Sequence, residues 1–223
     1  LQRHQWRILI PLLGAGRFAA DEEASARRWL TGQAADEQNG TRARWTLALD
    51  ALQRGDTAAV FGWIDSLART RDPDRAAAGM AVLVRAMLDG GRDPRGALAA
   101  TEPLLRFDSP RPGQDIFTRS LLHLSRAQWF EAAGDSKGAR QEILWYENSD
   151  TYKFPVKEAQ KMEVDAVASV AARVTRARLL LGAGESDLAC RMLGRVRELW
   201  DKADASLDAA RARADSLNRE GCR

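Results

Sequence analysis

The chain is poor in several residue types at once. Its 223 residues include only two cysteines, two histidines, two tyrosines and seven prolines. Two cysteines and two histidines are too few for a zinc site of the usual spacing, and no H-E-x-x-H ligand pair occurs. No apolar run approaches the roughly 20 residues of a membrane helix; Ile8 to Leu13 is short and has Pro11 inside it. Lysine is nearly missing, five against 29 arginines, and no block of like charge reaches five residues. With 31 acidic residues interleaved and a net charge of +3, the basic stripe expected of a nucleic-acid binder is absent. Val, Ile and Thr together number 23, against 39 Ala and 26 Leu. Ala and Leu favour helix and β-branched residues favour strands, so an all-α protein is expected. No cofactor and no metal are expected. The chain starts at Leu1 without a readable leader, and upstream sequence in the natural reading frame is expected.

What the chain does have is helical periodicity. Met162, Ala166, Val170, Val174, Ala177 and Leu181 fall at steps of three and four, which places them on one stripe of a helix spanning Glu158–Leu181. Similar stripes occupy Gln5–Leu13, Ala20–Leu30, Arg42–Leu52, Ala58–Leu67, Arg75–Leu88, Arg95–Leu105, Ile116–Phe130, Lys137–Tyr146, Leu188–Trp200 and Ala205–Leu217. Gly16, Gly55, Gly134 and Gly184 each end a stripe, as helix-closing glycines do. Asp72-Pro73 and Asp93-Pro94 place Pro at a first helical position behind a capping Asp. Ser109 to Gly113 and Asn148 to Pro155 read as loops.

Aligning the glycines exposes an internal repeat. Ala127, Phe130, Gly134 and Ala139 form A-x2-F-x3-G-x4-A; Ala177, Leu180, Gly184 and Ala189 recur at the same offsets, and Ala48, Ala51, Gly55 and Val60 more weakly. The logic is a helical hairpin: a small residue for close approach, a wedge, a turn glycine, and a small residue on the second helix. This pattern resembles the tetratricopeptide repeat family over residues 117–146, 166–200 and 41–69. It departs from the family in its spacing, 39 residues from Gly16 to Gly55 and 50 from Gly134 to Gly184, and in lacking most of its Trp and Pro positions. Trp145 to Asp150 and Arg197-Glu198-Leu199-Trp200 are similar in texture to the helical repeat tails of some bacterial regulators and Ser/Thr kinases. The resemblance implies a single TPR-like α-solenoid over residues 1–223, with hairpins at about 1–31, 41–69, 73–107, 114–147 and 158–200 and a closing helix at 204–219.

Function follows from the resemblance as an expectation. First-helix positions of such repeats face a concave groove, which by register gives Arg42, Trp45, Thr46 and Gln53, then Ser125, Gln128 and Glu131, then Thr175 and Arg178. Tyr152 and Phe154 in the long loop join them as contact candidates. The expected role is a non-enzymatic scaffold binding a polar or acidic protein segment. The alternative is a structural subunit stacking end to end with other copies of itself through its apolar first helix. No nucleic acid and no membrane span are expected.

Other motifs carry less. Leu13-Gly14-Ala15-Gly16 and Leu181-Gly182-Ala183-Gly184 hold half of a dinucleotide fingerprint but follow helices rather than strands. No P-loop and no G-x-S-x-G nucleophile turn occurs, so no catalytic residue is assigned. His123 among leucines reads as structural. Arg54-Gly55-Asp56 reads as a turn, and Asn39-Gly40-Thr41 is a glycosylation acceptor pattern. Cys190 and Cys222 come to one end of the last hairpin if its helices are antiparallel. A disulfide between them would argue for an extracytoplasmic setting and free thiols for the cytoplasm.

Overall fold

A computed structural model describes residues 4–5, 7–9, 18–36, 40–70, 76–105, 116–148, 173–201, 205 and 208–222. Among these the protein is all-α, with no strand. The helices are α1 (Ala20–Ala34), α2 (Thr41–Gln53), α3 (Thr57–Ala68), α4 (Ala76–Asp89), α5 (Pro94–Leu105), α6 (Ile116–Ala132), α7 (Ser136–Asn148), α8 (Ser186–Trp200) and α9 (Asp208–Gly221). Residues 4–5, 7–9 and 173–182 are helical as well. The periodicity in the sequence therefore marks real helices, with ends displaced by a few residues. The largest displacement is at the closing helix, which runs from Asp208 to Gly221 rather than from Ala205 to Leu217. Among the proposed features, Gly16, Asn39, Asp72-Pro73, the loop from Ser109 to Gly113, Tyr152, Phe154 and positions 158–172 of the expected Glu158–Leu181 helix, Met162, Ala166 and Val170 among them, lie outside the described residues.

Three turns are built identically. Gly55, Gly134 and Gly184 have φ of 72°, 81° and 78°, the left-handed region that glycine enters without a Cβ penalty. In each, the glycine N–H donates to the carbonyl three residues back. The next residue's N–H donates to the carbonyl five residues before it: Asp56 to Ala51, Asp135 to Phe130 and Glu185 to Leu180, at 2.8–2.9 Å. This is the two-bond Schellman closure, which satisfies carbonyls that a helix end would leave orphaned. Asp56 and Asp135 then start the following helix, accepting hydrogen bonds from the N–H of Ala59 and Gly138. Asp93 does the same for Gly96 ahead of Pro94, as the Asp-Pro reading required.

The small residues of the repeat do what their size allows. Ala48, Ala51, Ala127, Ala139, Ala177 and Ala189 are all buried, where two helix backbones approach. From α1 to α7 each helix packs against the next, α8 packs against α9, and α2 touches α4 while α4 touches α6. Gly90, outside the repeat pattern, sits against the Trp129 indole so closely that a Cβ would collide with Nε1. One apolar cluster joins α2 to α6 through Trp45, Leu49, Leu83, Val84 and Leu121. A last one joins residues 173–182, α8 and α9 through Ala177, Leu193, Val196 and Ala214, and Phe18 packs against it.

Gly134→Ala should cost about 1–2 kcal/mol, because its φ is positive. Gly182→Ala, a helical position with open space around it, should be neutral or stabilise by about 0.5–1 kcal/mol. Urea unfolding of both variants checks the pair; equal effects would contradict this account of the turn.

Candidate partner-binding face

The register expectation places the groove on one side of each first helix, but the structure encloses two of those helices. From Ala43 to Ala51 only Arg44 is less than fully buried, and Leu121 to Ala127 are all buried. Trp45, Thr46 and Ser125 are therefore interior and present no surface to a partner. The reason is extra packing that a simple hairpin register omits. Gln5 donates to Thr46 Oγ1 at 3.0 Å, Leu9 joins the cluster around Trp45, and Arg27 of α1 grips Asp50. Arg42 is half-buried, and Gln53 is exposed at the C-terminal end of α2.

Two of the four remaining candidates meet. Arg178 lies bidentate on Glu131, its Nη1 on Oε1 and its Nη2 on Oε2 at 2.6 Å. Gln128 and Thr175 stand one turn earlier on the same faces of their helices, since residues three apart are neighbours on a helix surface. The Arg178 hydrogen bond holds the Glu131 carboxyl below its ordinary value, against the opposing effect of burial. The charges of Arg178 and of Arg213, on α9, add to the shift. The carboxylate thus pairs with one guanidinium and feels the charge of a second. On the other flank of this seam Arg140 of α7 pairs with Glu185 ahead of α8. Burial and the like charge of Arg140 depress the Arg176 pKa, and Glu185 opposes them. Two ion pairs thus tie the elements here, Arg178 with Glu131 and Arg140 with Glu185.

Sequence reading missed a buried polar brace. Arg126 on α6 donates Nε to Glu142 of α7 at 2.6 Å, Nη1 to the Leu98 carbonyl and Thr101 Oγ1 of α5 at 3.0 Å, and Nη2 to Glu102. His123 meets the other Glu142 oxygen at 2.7 Å and stacks on Trp145. His123 is thus held structurally, as expected, but its carboxylate partner lies 19 residues away, beyond any local pattern. Burial by itself would raise the Glu142 carboxyl; the hydrogen bonds from His123 and Arg126 outweigh it and hold the pKa below the ordinary value.

At the far end Cys190 and Cys222 form a disulfide, with Cα atoms 5.6 Å apart and a sequence separation of 32. The bridge fixes the end of α9 to the first turn of α8. Among the described residues no helix is long and apolar enough to cross a membrane.

Two outcomes follow. Because the folded-state pKa of Glu142 is depressed, its contribution is complete above about pH 4.3 and is lost as pH falls through the folded value. Glu142→Gln should lower stability by about 2 kcal/mol at neutral pH and flatten the acid limb of stability against pH; an unchanged acid limb in urea titrations would refute the brace. Removing both cysteines should loosen the hold of α9 by up to about 3–4 kcal/mol, the loop-entropy value for a bridge of this span, read as faster cleavage within α9 by limited proteolysis under non-reducing conditions. No protein-family model matches this chain, and neither the curated proteins nor the solved structures include a significant match.

Proposed function

We propose that the protein is a non-enzymatic interaction scaffold, a tetratricopeptide-like solenoid that takes an acidic, extended protein segment on the seam between α6, residues 173–182 and α9. Three identical glycine closures, each flanked by buried small residues, support repeated helical hairpins. The contacts of α2 with α4 and of α4 with α6 are those that stacked first helices make. Stacked repeats offer extended surfaces for peptides. The observation that carries the choice of ligand is the Glu131 carboxylate seated bidentate on Arg178, the fork geometry in which Arg takes carboxylates. Exposed Arg213 on α9 adds its positive charge there.

The disulfide supports an extracytoplasmic setting, since such bonds persist where thiols are not kept reduced. Within this reading a capped adaptor is favoured over a filament. Asp208, Arg213, Arg219 and Glu220 of α9 are exposed, giving the closing helix the polar outer face that terminates a repeat array.

Binding to an array of unstructured peptides graded from acidic to basic tests the proposal. Acidic peptides should be retained, with affinity falling as salt rises. Arg213→Glu, an exposed substitution, should weaken retention about tenfold or more without changing helicity; retention that ignores peptide charge, or survives Arg213→Glu, would reject the seam as the site.

A further inference from the structure

We propose that the Cys190–Cys222 disulfide is a releasable latch on the closing helix α9, opened by a dithiol reductant, rather than a staple of the whole fold. The argument begins with what α9 buries. Its sequence, Asp208–Gly221, supplies only two buried side chains, Ala210 and Ala214, and both are small. Leu217 and Cys222 add partial contacts. Along one side an open cleft separates α9 from α8, lined by Gly194, Arg197, Trp200, Arg211 and Asp215. The Arg197–Asp215 pair that crosses it is largely exposed on both sides, and exposed pairs add little.

A 14-residue helix with this composition does not persist by itself in water, since isolated helices shorter than ~12–15 residues are marginal even when alanine-rich. The covalent tie at Cys222 therefore holds a weakly packed element. By contrast α8 buries Ala189, Leu193, Val196 and Trp200 in a cluster with Ala177 and Leu180, which does not need the bridge. Both cysteines are only half-buried, so the bridge lies at the edge of the cluster and not within its core.

The exchange balances as a two-electron reduction. One reductant thiolate attacks a bridge sulfur, forms a mixed disulfide and expels the other cysteine as thiolate. The reductant's second thiolate attacks its own sulfur in the mixed disulfide and expels the remaining cysteine. The reductant leaves as a disulfide and two protons convert the thiolates to Cys190 and Cys222 thiols. Release of α9 uncovers part of the apolar cluster and withdraws Arg213 from Glu131. The second consequence bears on binding and rests on the seam proposed above; the release itself does not.

Amide hydrogen exchange on the full chain, oxidised and then treated with dithiothreitol, tests the latch. Exchange protection across α9 should fall by roughly 100-fold or more on reduction, while α2 to α8 keep theirs. Cys190→Ser with Cys222→Ser, without reductant, should reproduce the pattern. Protection of α9 that survives reduction would overturn the proposal, and so would loss of protection spreading through α8 and residues 173–182. Neither outcome depends on peptide retention, so the latch and the binding seam can fail separately.

Discussion

The constraint on which the rest of this molecule depends is the direction in which each hairpin turns. A helix must close its last carbonyls, and the left-handed glycine at Gly55, Gly134 and Gly184 does so while reversing the chain in one fixed geometry. The acceptors of the longer turn bonds are the carbonyls of Ala51, Phe130 and Leu180, which are the wedge positions of the repeat. Turn closure and helix–helix packing are therefore set by the same residue. A one-residue slip would move the wedge, the buried alanines and the turn together. That is why a short pattern of four positions recurs although the intervals between its copies differ.

Between hairpins, polar ties add to the apolar seams. Arg27 of α1 grips Asp50 of α2, Arg126 of α6 grips Thr101 and Glu102 of α5, and Arg178 grips Glu131. Arg85 of α4 lies over the Phe61 ring of α3 at 4.8 Å. Leaving one member of a buried pair alone costs about 3–5 kcal/mol, whereas replacing a whole pair by apolar residues is often neutral. Where the tied charge is buried, as Asp50 and Arg126 are, the tie acts by penalising wrong stacking more than by adding net stability. Among alanine-rich helices, whose smooth faces slide readily past one another, such a penalty has more to select against than it would among bulky, interlocked cores.

The parts of the structure legible in sequence are those encoded locally. Helix positions, the Asp93–Pro94 start, the glycine turns and the buried alanines all follow from residues within one or two helical turns of each other. The disulfide was legible as a possibility because antiparallel helices bring the start of one to the end of the other. What the sequence did not reveal was encoded across distance. Trp45, Thr46 and Ser125 lie at register positions that would face a groove, yet Gln5, Leu9 and α1 close over α2, and no spacing near Trp45 announces that. Arg126 and Glu142 are 16 residues apart on different helices, and neither looks unusual among 29 arginines and 31 acidic residues. Glu131 and Arg178 were chosen separately for one face, and their contact across 47 residues makes that face a paired surface rather than a set of free charges.

The two ends of the described chain are packed differently. Near the amino end large side chains meet: His4 stacks on Trp29 at 4.7 Å, Ile8 packs with Leu30 and Leu47, and Arg7 pairs with Glu22. At the carboxyl end α9 offers alanines, which bury little area, and area is what drives packing. A covalent bond compensates there by limiting how far α9 can stray when it detaches. The choice of small residues has its own logic. Alanine lets α9 lie close while presenting few apolar atoms to water if it leaves, so detachment is less prone to drive aggregation than loss of a leucine-rich helix would be. Phe18 packs against the same cluster and supplies bulk that α9 lacks. The carboxyl end is thus built from a covalent tie, a borrowed aromatic and a polar cover, each offsetting what alanine alone cannot hold.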